Sequence, residues 1–174
     1  MNYFELFEMP VSLQIDRNEL YQKYLELQKK YNNGVSSKSS KQLQEEMFEM
    51  LSLIQTGFEI FQNADDTIRY VLMIKGLLEE NENYALHADF LVEMRDLIEI
   101  LSGHPDILSI EEAATKVSQI ETQLYQSIQN IIENYNEERT TNEQLLYIKD
   151  YYYKKRYINN ILEKVENLRN NQQV

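Results

Sequence analysis

The sequence predicts an all-α protein on three observations. Several long stretches place apolar residues at the 3.6-residue helical period. Only 4 glycines and 2 prolines occur among 174 residues, so the punctuation of a strand-and-turn protein is missing. The 43% hydrophobic content is enough for a packed core, and the mean hydropathy of -0.56 suits helices with one wet face. The expected architecture is an N-terminal antiparallel helical hairpin over 1–76, a linker over 77–88, a three-helix bundle over 89–170 and a disordered tail over 171–174.

Each element has its own signal. Tyr3, Phe4, Leu6 and Phe7 give a short apolar turn or helix that Pro10 terminates or closely follows. Asp16 stands three residues before Glu19, the spacing of an N-cap, and opens a helix over 17–32. On that helix Leu20, Tyr24, Leu27 and Tyr31 form the apolar stripe, leaving Lys23, Lys29 and Lys30 off it. Asn33-Gly34 is a turn dipeptide, so the helix stops and a serine-rich loop follows. Leu43, Met47, Leu51, Ile54, Phe58 and Phe61 mark the returning helix. Asn63, Asp65 and Asp66 break it, and an apolar segment runs from Ile68 to Leu78 with Gly76 inside. The polar run Glu79 to Asn83 reads as a linker or a frayed helix end.

Beyond it, Phe90, Met94, Leu97 and Leu101 mark the first bundle helix, closed by Gly103. Ser109-x-x-Glu112 reads as a capping box for a helix with stripe Ile110, Val117, Ile120, Leu124, Ile128, Ile131 and Tyr135. Thr140-x-x-Glu143 reads as another, for a helix carrying Leu145, Ile148, Tyr152, Ile161, Val165 and Leu168.

Charge and composition exclude several functions. A formal net charge of -12 repels nucleic-acid phosphates and anionic lipid, so neither is an expected partner. Counting from the sequence, residues 1–76 hold 11 acids and 8 bases, net -3, and residues 77–174 hold 18 and 9, net -9. With no cysteine there is no disulfide, thiol nucleophile or cysteine-held metal. The acidic N-terminus does not read as a secretory signal, and no run approaches the roughly 18 apolar residues of a membrane span. A cytoplasmic protein is expected.

Catalytic chemistry is thinly supplied. His87 and His104 lie in neither a His-Glu-x-x-His nor a Glu-x-x-His arrangement, and Gly34, Gly57, Gly76 and Gly103 are too scattered for a phosphate loop. No cofactor, metal or catalytic residue is expected, and the chain reads as an interaction protein rather than an enzyme.

The opening MNYFELFEMPVSLQIDRNELYQKYLELQKKY, the long helix with Ile54-x-x-Gly57-Phe58, and Arg69-Tyr70-Val71-Leu72 resemble the J-domain of the HscB family. These are J-type co-chaperones of iron–sulfur cluster assembly. The resemblance is gapless through Gly76 and extends more weakly over the bundle. It implies a J-domain-like hairpin whose Lys23, Lys29 and Lys30 face a DnaK-type (HscA) chaperone together with the loop at Asn32, Asn33 and Gly34. In the family that loop is His-Pro-Asp and triggers ATP hydrolysis. Here all three residues are replaced, removing proline's fixed φ and the aspartate charge. The family's proline and arginine before the last J-domain helix are likewise replaced, around Ala64 and Thr67. His104-Pro105-Asp106 spells the tripeptide some seventy residues later, after a helix carrying Glu93, Asp96 and Glu99 instead of bases, and reads as an ordinary helix-breaking loop.

The resemblance also implies that the bundle holds the scaffold protein on which clusters are built. Independently of it, Leu91 and Val92 lie off the core stripe beside Asp96 and Glu99, an apolar pair rimmed by carboxylates that suits a protein interface. The family adds an aromatic on the last helix, matched by Tyr157, and has an apolar contact where Arg95 stands. The plainer reading has Leu91 or Val92 complete the bundle core and Tyr157 pack against a neighbouring helix. The expected function is thus a co-chaperone that binds the scaffold and delivers it to the chaperone. The alternatives are a J-like scaffold-binding protein without chaperone activation, or a purely structural helical adaptor.

Overall fold

In the computed structural model, which describes residues 1–32 and 40–172, the regular structure is entirely helical. Two compact units form: Met1–Leu78 with Ile132–Thr140, and Glu79–Ile131 with the chain from Thr141 onward. The division is therefore not the contiguous one expected from sequence, because residues 132–140 belong to the first unit. There Glu137 accepts a 2.5 Å hydrogen bond from the Lys75 ammonium.

The first unit holds α1 (Tyr3–Leu6), α2 (Arg17–Asn32), α3 (Lys41–Gln62) and α4 (Ala64–Ile74). Asp16 caps α2 as its spacing predicts, its Oδ1 accepting from the backbone N–H groups of Asn18 at 2.8 Å and Glu19 at 2.9 Å. Leu20 and Leu27 are buried, and Tyr24 and Tyr31 half-buried, so the α2 stripe faces the core. Tyr24 stacks on Phe58 of α3 with centroids 4.0 Å apart and its hydroxyl donates to Gln55, while a recess lined by Arg17, Tyr21 and Gln62 lies at the other end. The N-terminal end of α2 thus meets the C-terminal end of α3, the antiparallel hairpin that the stripes predict.

The short α1 is held by aromatics. Phe4 and Phe7 are fully buried, and Phe4 packs on Phe61 at 4.5 Å. Each such ring contributes roughly 1.5–3 kcal/mol by leaving water. Gly57 permits the close approach: a Cβ there would stand 2.9 Å from Phe7 Cε2 and 3.0 Å from Tyr3 Cδ1. Asn63 caps α4 through its side-chain oxygen, and the buried Thr67 hydroxyl donates to the Asn63 and Ile60 carbonyls, pinning the α3–α4 corner.

The second unit is built from α5 (Ala88–Ile100), most of α6 (Ile107–Glu133) and α7 (Asn142–Gln172) around Phe90, Met94, Leu97, Leu101, Ile110, Val117, Ile158, Ile161 and Val165. Arg169 pairs with Glu111 and Lys155 with Glu121, which sets α6 and α7 antiparallel. Both expected caps of the bundle helices are corrected. Asp106, not Ser109, opens α6, accepting from the Ser109 N–H at 2.8 Å. Thr141, not Thr140, opens α7 in a box with Gln144, while the Thr140 hydroxyl accepts from the Asn136 N–H and closes the preceding loop.

Two further corrections concern the connections. Residues 79–86 are not a bare linker. Glu82 accepts from the nearly buried Lys149 ammonium at 2.5 Å, Tyr84 stacks on Tyr153 at 4.4 Å, and the Tyr84 hydroxyl donates to Asp150 at 3.1 Å. The Lys149 hydrogen bond holds the Glu82 carboxyl below the usual carboxylate range. At the other end, Asn171 and Gln172 continue α7, and the Gln172 amide donates to the Pro105 carbonyl at 2.6 Å; Gln173 and Val174 lie outside the described residues.

Candidate interaction surfaces

On α5 the helical period separates two faces. Phe90, Met94, Leu97 and Leu101 point into the bundle, and Leu91, Val92, Arg95, Asp96 and Glu99 all stand in solvent. Leu91 is 38% and Val92 48% exposed, which rules against both as core residues. Leu91, Arg95 and Glu99 stack one turn apart along a single line, with Val92 and Asp96 on the line beside it. The α5 residues named from sequence are thus brought together on one open face.

Tyr157 is different. It is half-buried against the core and meets Phe90 edge-on at 6.0 Å and 77°. Its ring serves the packing of α7 on α5, the plainer of the two readings made from sequence.

Next to the α5 face lies an open groove of about 240 Å³ between α5 and α6, floored by Leu97, Ile100 and Ile120 and edged by Glu93, Asp96 and Lys116. Glu112 holds the Lys116 ammonium at 2.9 Å. The groove was missed because its walls come from two helices, and only the α5 wall, Glu93 to Ile100, shows as a pattern in one stretch of sequence.

On α2, Lys29 and Lys30 are exposed, and the Lys30 ammonium sits 5.5 Å above the Tyr31 ring. Lys23, two turns before Lys30, is half-buried and lies 4.0 Å from a carboxylate oxygen of Glu8. Glu8 has a left-handed backbone, φ 51°, just after α1. The Asn32 side-chain amide donates back to the Gln28 side chain at 3.0 Å, one turn earlier on α2. Asn33 and Gly34, the rest of the expected contact loop, lie outside the described residues.

The His104-Pro105-Asp106 tripeptide makes a loop in the second unit. Asp106 is occupied as the α6 cap, and the Ser109 N–H draws its carboxyl below the usual range. Gly103 takes a left-handed φ of 73°, which ends the α5 turn. Among the described residues no three His, Cys, Asp or Glu side chains converge to hold a metal, and no helix is long and apolar enough to cross a membrane.

No protein-family model matches the chain. Curated relatives do. A co-chaperone HscB homologue of Haemophilus ducreyi is 30% identical over 169 residues, 95% of either chain. The co-chaperone HscB of Proteus mirabilis is 29% identical over 102 residues, an alignment spanning only 59% of that protein's length. Among solved structures, human co-chaperone HscB superposes with a TM-score of 0.77 at 20% identity, covering 95% of this chain and 81% of that one. The HscB chaperone of Vibrio cholerae gives 0.72, also at 20% identity, over 98% and 99%. At that identity the two structures speak for a shared fold, an N-terminal J-like unit followed by a helical bundle.

Proposed function

Because the chain belongs to the HscB family of co-chaperones, we propose that it binds the scaffold protein of iron–sulfur cluster assembly and brings it to a DnaK-type (HscA) chaperone in the cytoplasm, acting by binding rather than by catalysis. The observation that carries this reading is the α5 face, where Leu91 and Val92 are exposed beside Asp96 and Glu99. Apolar area without a partner in its own fold, rimmed by charge that sets orientation, is what a helical protein interface needs. Tyr157 enters as support for α5 through Phe90, and Lys23, Lys29 and Lys30 as the chaperone-facing side of α2.

A second reading is favoured by one specific feature. Asn32, Asn33 and Gly34 supply neither the proline nor the carboxylate that the family uses to trigger hydrolysis. On this reading the protein holds the scaffold without activating the chaperone.

Titration calorimetry with purified scaffold protein tests the first half. Micromolar binding that weakens about tenfold or more in Leu91→Ala combined with Val92→Ala supports it, and absence of heat with the wild-type chain ends it. Steady-state ATPase of the chaperone separates the two readings: several-fold stimulation by the wild-type chain sinks the non-activating one. Stimulation appearing only after Asn32→His, Asn33→Pro and Gly34→Asp are combined supports it.

A further inference from the structure

We propose that Arg95 is a specificity element of the α5 face, taking a carboxylate of the protein segment that docks over Leu91 and Val92. The inference rests on the scaffold-binding reading and adds the chemistry the partner must present.

Arg95 sits at the centre of the exposed face, one turn after Leu91 and one turn before Glu99, with Val92 and Asp96 alongside. Its side chain is 72% exposed, and the ion partner among the described residues is Asp96, with Nε and Oδ1 4.0 Å apart. That separation is too long for a hydrogen bond, and at 72% exposure the guanidinium with its five N–H donors stands open to solvent.

A partner that buries Leu91 and Val92 strips water from Arg95 as well, because all three occupy neighbouring positions on one helical surface. A desolvated guanidinium that gains no acceptor from the partner opposes docking, and the two part-exposed aliphatic side chains bury too little apolar area to offset it. The docked segment therefore has to bring an acceptor. A carboxylate fits best, because its two oxygens match the guanidinium fork and its charge is opposite.

The rest of the surface fixes the surroundings of that carboxylate. Glu93, Asp96 and Glu99 are all exposed on the same helix, and residues 77–174 carry net -9 by the count above. Segments with an acidic surface overall are repelled. The occupant this face selects is an apolar protein segment with basic residues at its edge and one acidic residue at its middle. Asp96, with its Oδ1 4.0 Å from the Arg95 Nε, and Glu99, one turn on, are the competing acceptors within the chain. If either closed onto the guanidinium, the pair would present no net charge to a partner.

The sign of a single substitution decides. The intact chain is titrated calorimetrically with purified iron–sulfur scaffold protein as wild type and as Arg95→Leu, Arg95→Lys and Arg95→Glu, each checked for unchanged helical circular dichroism. Arg95→Leu is expected to bind about tenfold or more weakly, Arg95→Glu more weakly still, and Arg95→Lys between wild type and leucine. Replacing each surface carboxylate of the scaffold by its amide then finds one position whose effect disappears in the Arg95→Leu background. Equal or tighter binding by Arg95→Leu, with Leu91→Ala and Val92→Ala still disruptive, overturns the assignment while leaving scaffold binding intact. Absence of binding by the wild-type chain overturns both.

Discussion

Replacing Lys149 by methionine should release the 79–86 segment from the second unit at a cost of about 1–2 kcal/mol. The lysine side chain is 11% exposed and its partner Glu82 26% exposed, with Nζ and Oε1 2.5 Å apart. The ammonium also lies 5.5 Å from the centroid of the Tyr84 ring. A hydrogen bond between charged groups is worth about 1.5–3 kcal/mol and a cation–π contact about 0.5–1 kcal/mol. Methionine keeps an unbranched aliphatic stem at the buried position, and Glu82 at 26% exposure can rehydrate. The loss therefore falls toward the low end and below the roughly 3–5 kcal/mol of a fully buried broken pair. Hydrogen exchange of the amides between Asn81 and Leu86 reports the release directly, and urea unfolding of the intact chain reports its cost. Glu82→Gln and the double variant complete the cycle. Unchanged exchange in Lys149→Met, or single-variant losses that simply add in the double variant, would refute the reasoning. The pH dependence has a definite sign. The Glu82 carboxyl is held below its ordinary value, chiefly by the Lys149 hydrogen bond. Its contribution is then complete above the unfolded pKa of about 4.3 and is lost as pH falls through the folded value.

Two more outcomes can be measured. Gly57→Ala places a methyl 2.9 Å from the fully buried Phe7 ring. Overpacking of about 1–3 kcal/mol then outweighs the roughly 1 kcal/mol gained by removing a helical glycine, and net stabilisation in a denaturant titration would contradict the α1–α3 contact. The Tyr84 phenol is pushed up to about 12, first by burial and then by Asp150. Its neutral form contributes stability below the unfolded value of about 10, and that share is lost as pH rises through 12. A carbon-labelled tyrosine titration that places Tyr84 near 10 would break the proposed packing.

The helices were legible because their stripes are long. Leu20, Tyr24, Leu27 and Tyr31 on α2, and Phe90, Met94, Leu97 and Leu101 on α5, are inward-facing as their period requires. The same logic made Leu91 and Val92 readable as off the stripe. The caps were less legible because Ser, Thr and Asp can each accept from an N–H three residues on. With Asp106 and Ser109 both available before α6, and Thr140 and Thr141 before α7, composition alone does not choose the register. Geometry chooses, through the Ser109 and Gln144 N–H groups that Asp106 and Thr141 reach. The docked segment was hidden by its polarity. Glu82 and Asn83 look like linker residues, yet Lys149 falls at i+4 from Leu145 and one residue after Ile148, inside the buried stripe of α7. A lysine at such a position is a sequence signal for a distant carboxylate, and Glu82 answers it from 67 residues away.

The two candidate surfaces also differ in how much each can do alone. The α5 face brings apolar area, carboxylates and a guanidinium on one rigid helix, all within two turns. Its contacts need nothing from the first unit. The α2 surface is poorer. Lys23 is turned partly inward toward Glu8, so of the three lysines only Lys29 and Lys30 are exposed, with Arg17 exposed at the opposite end of the helix. Two exposed lysines contribute little binding energy, and salt screens them beyond about 8 Å. In the proposed chaperone contact, orientation would then have to come from other positions, and the Asn32 amide is hydrogen-bonded to Gln28. On the proposed function, scaffold binding would draw on the α5 face alone, whereas chaperone activation would draw on the replaced positions Asn32, Asn33 and Gly34. This asymmetry is why the ATPase assay with His-Pro-Asp restored at 32–34 has the power to separate the two readings, and why its result leaves the α5 face untouched.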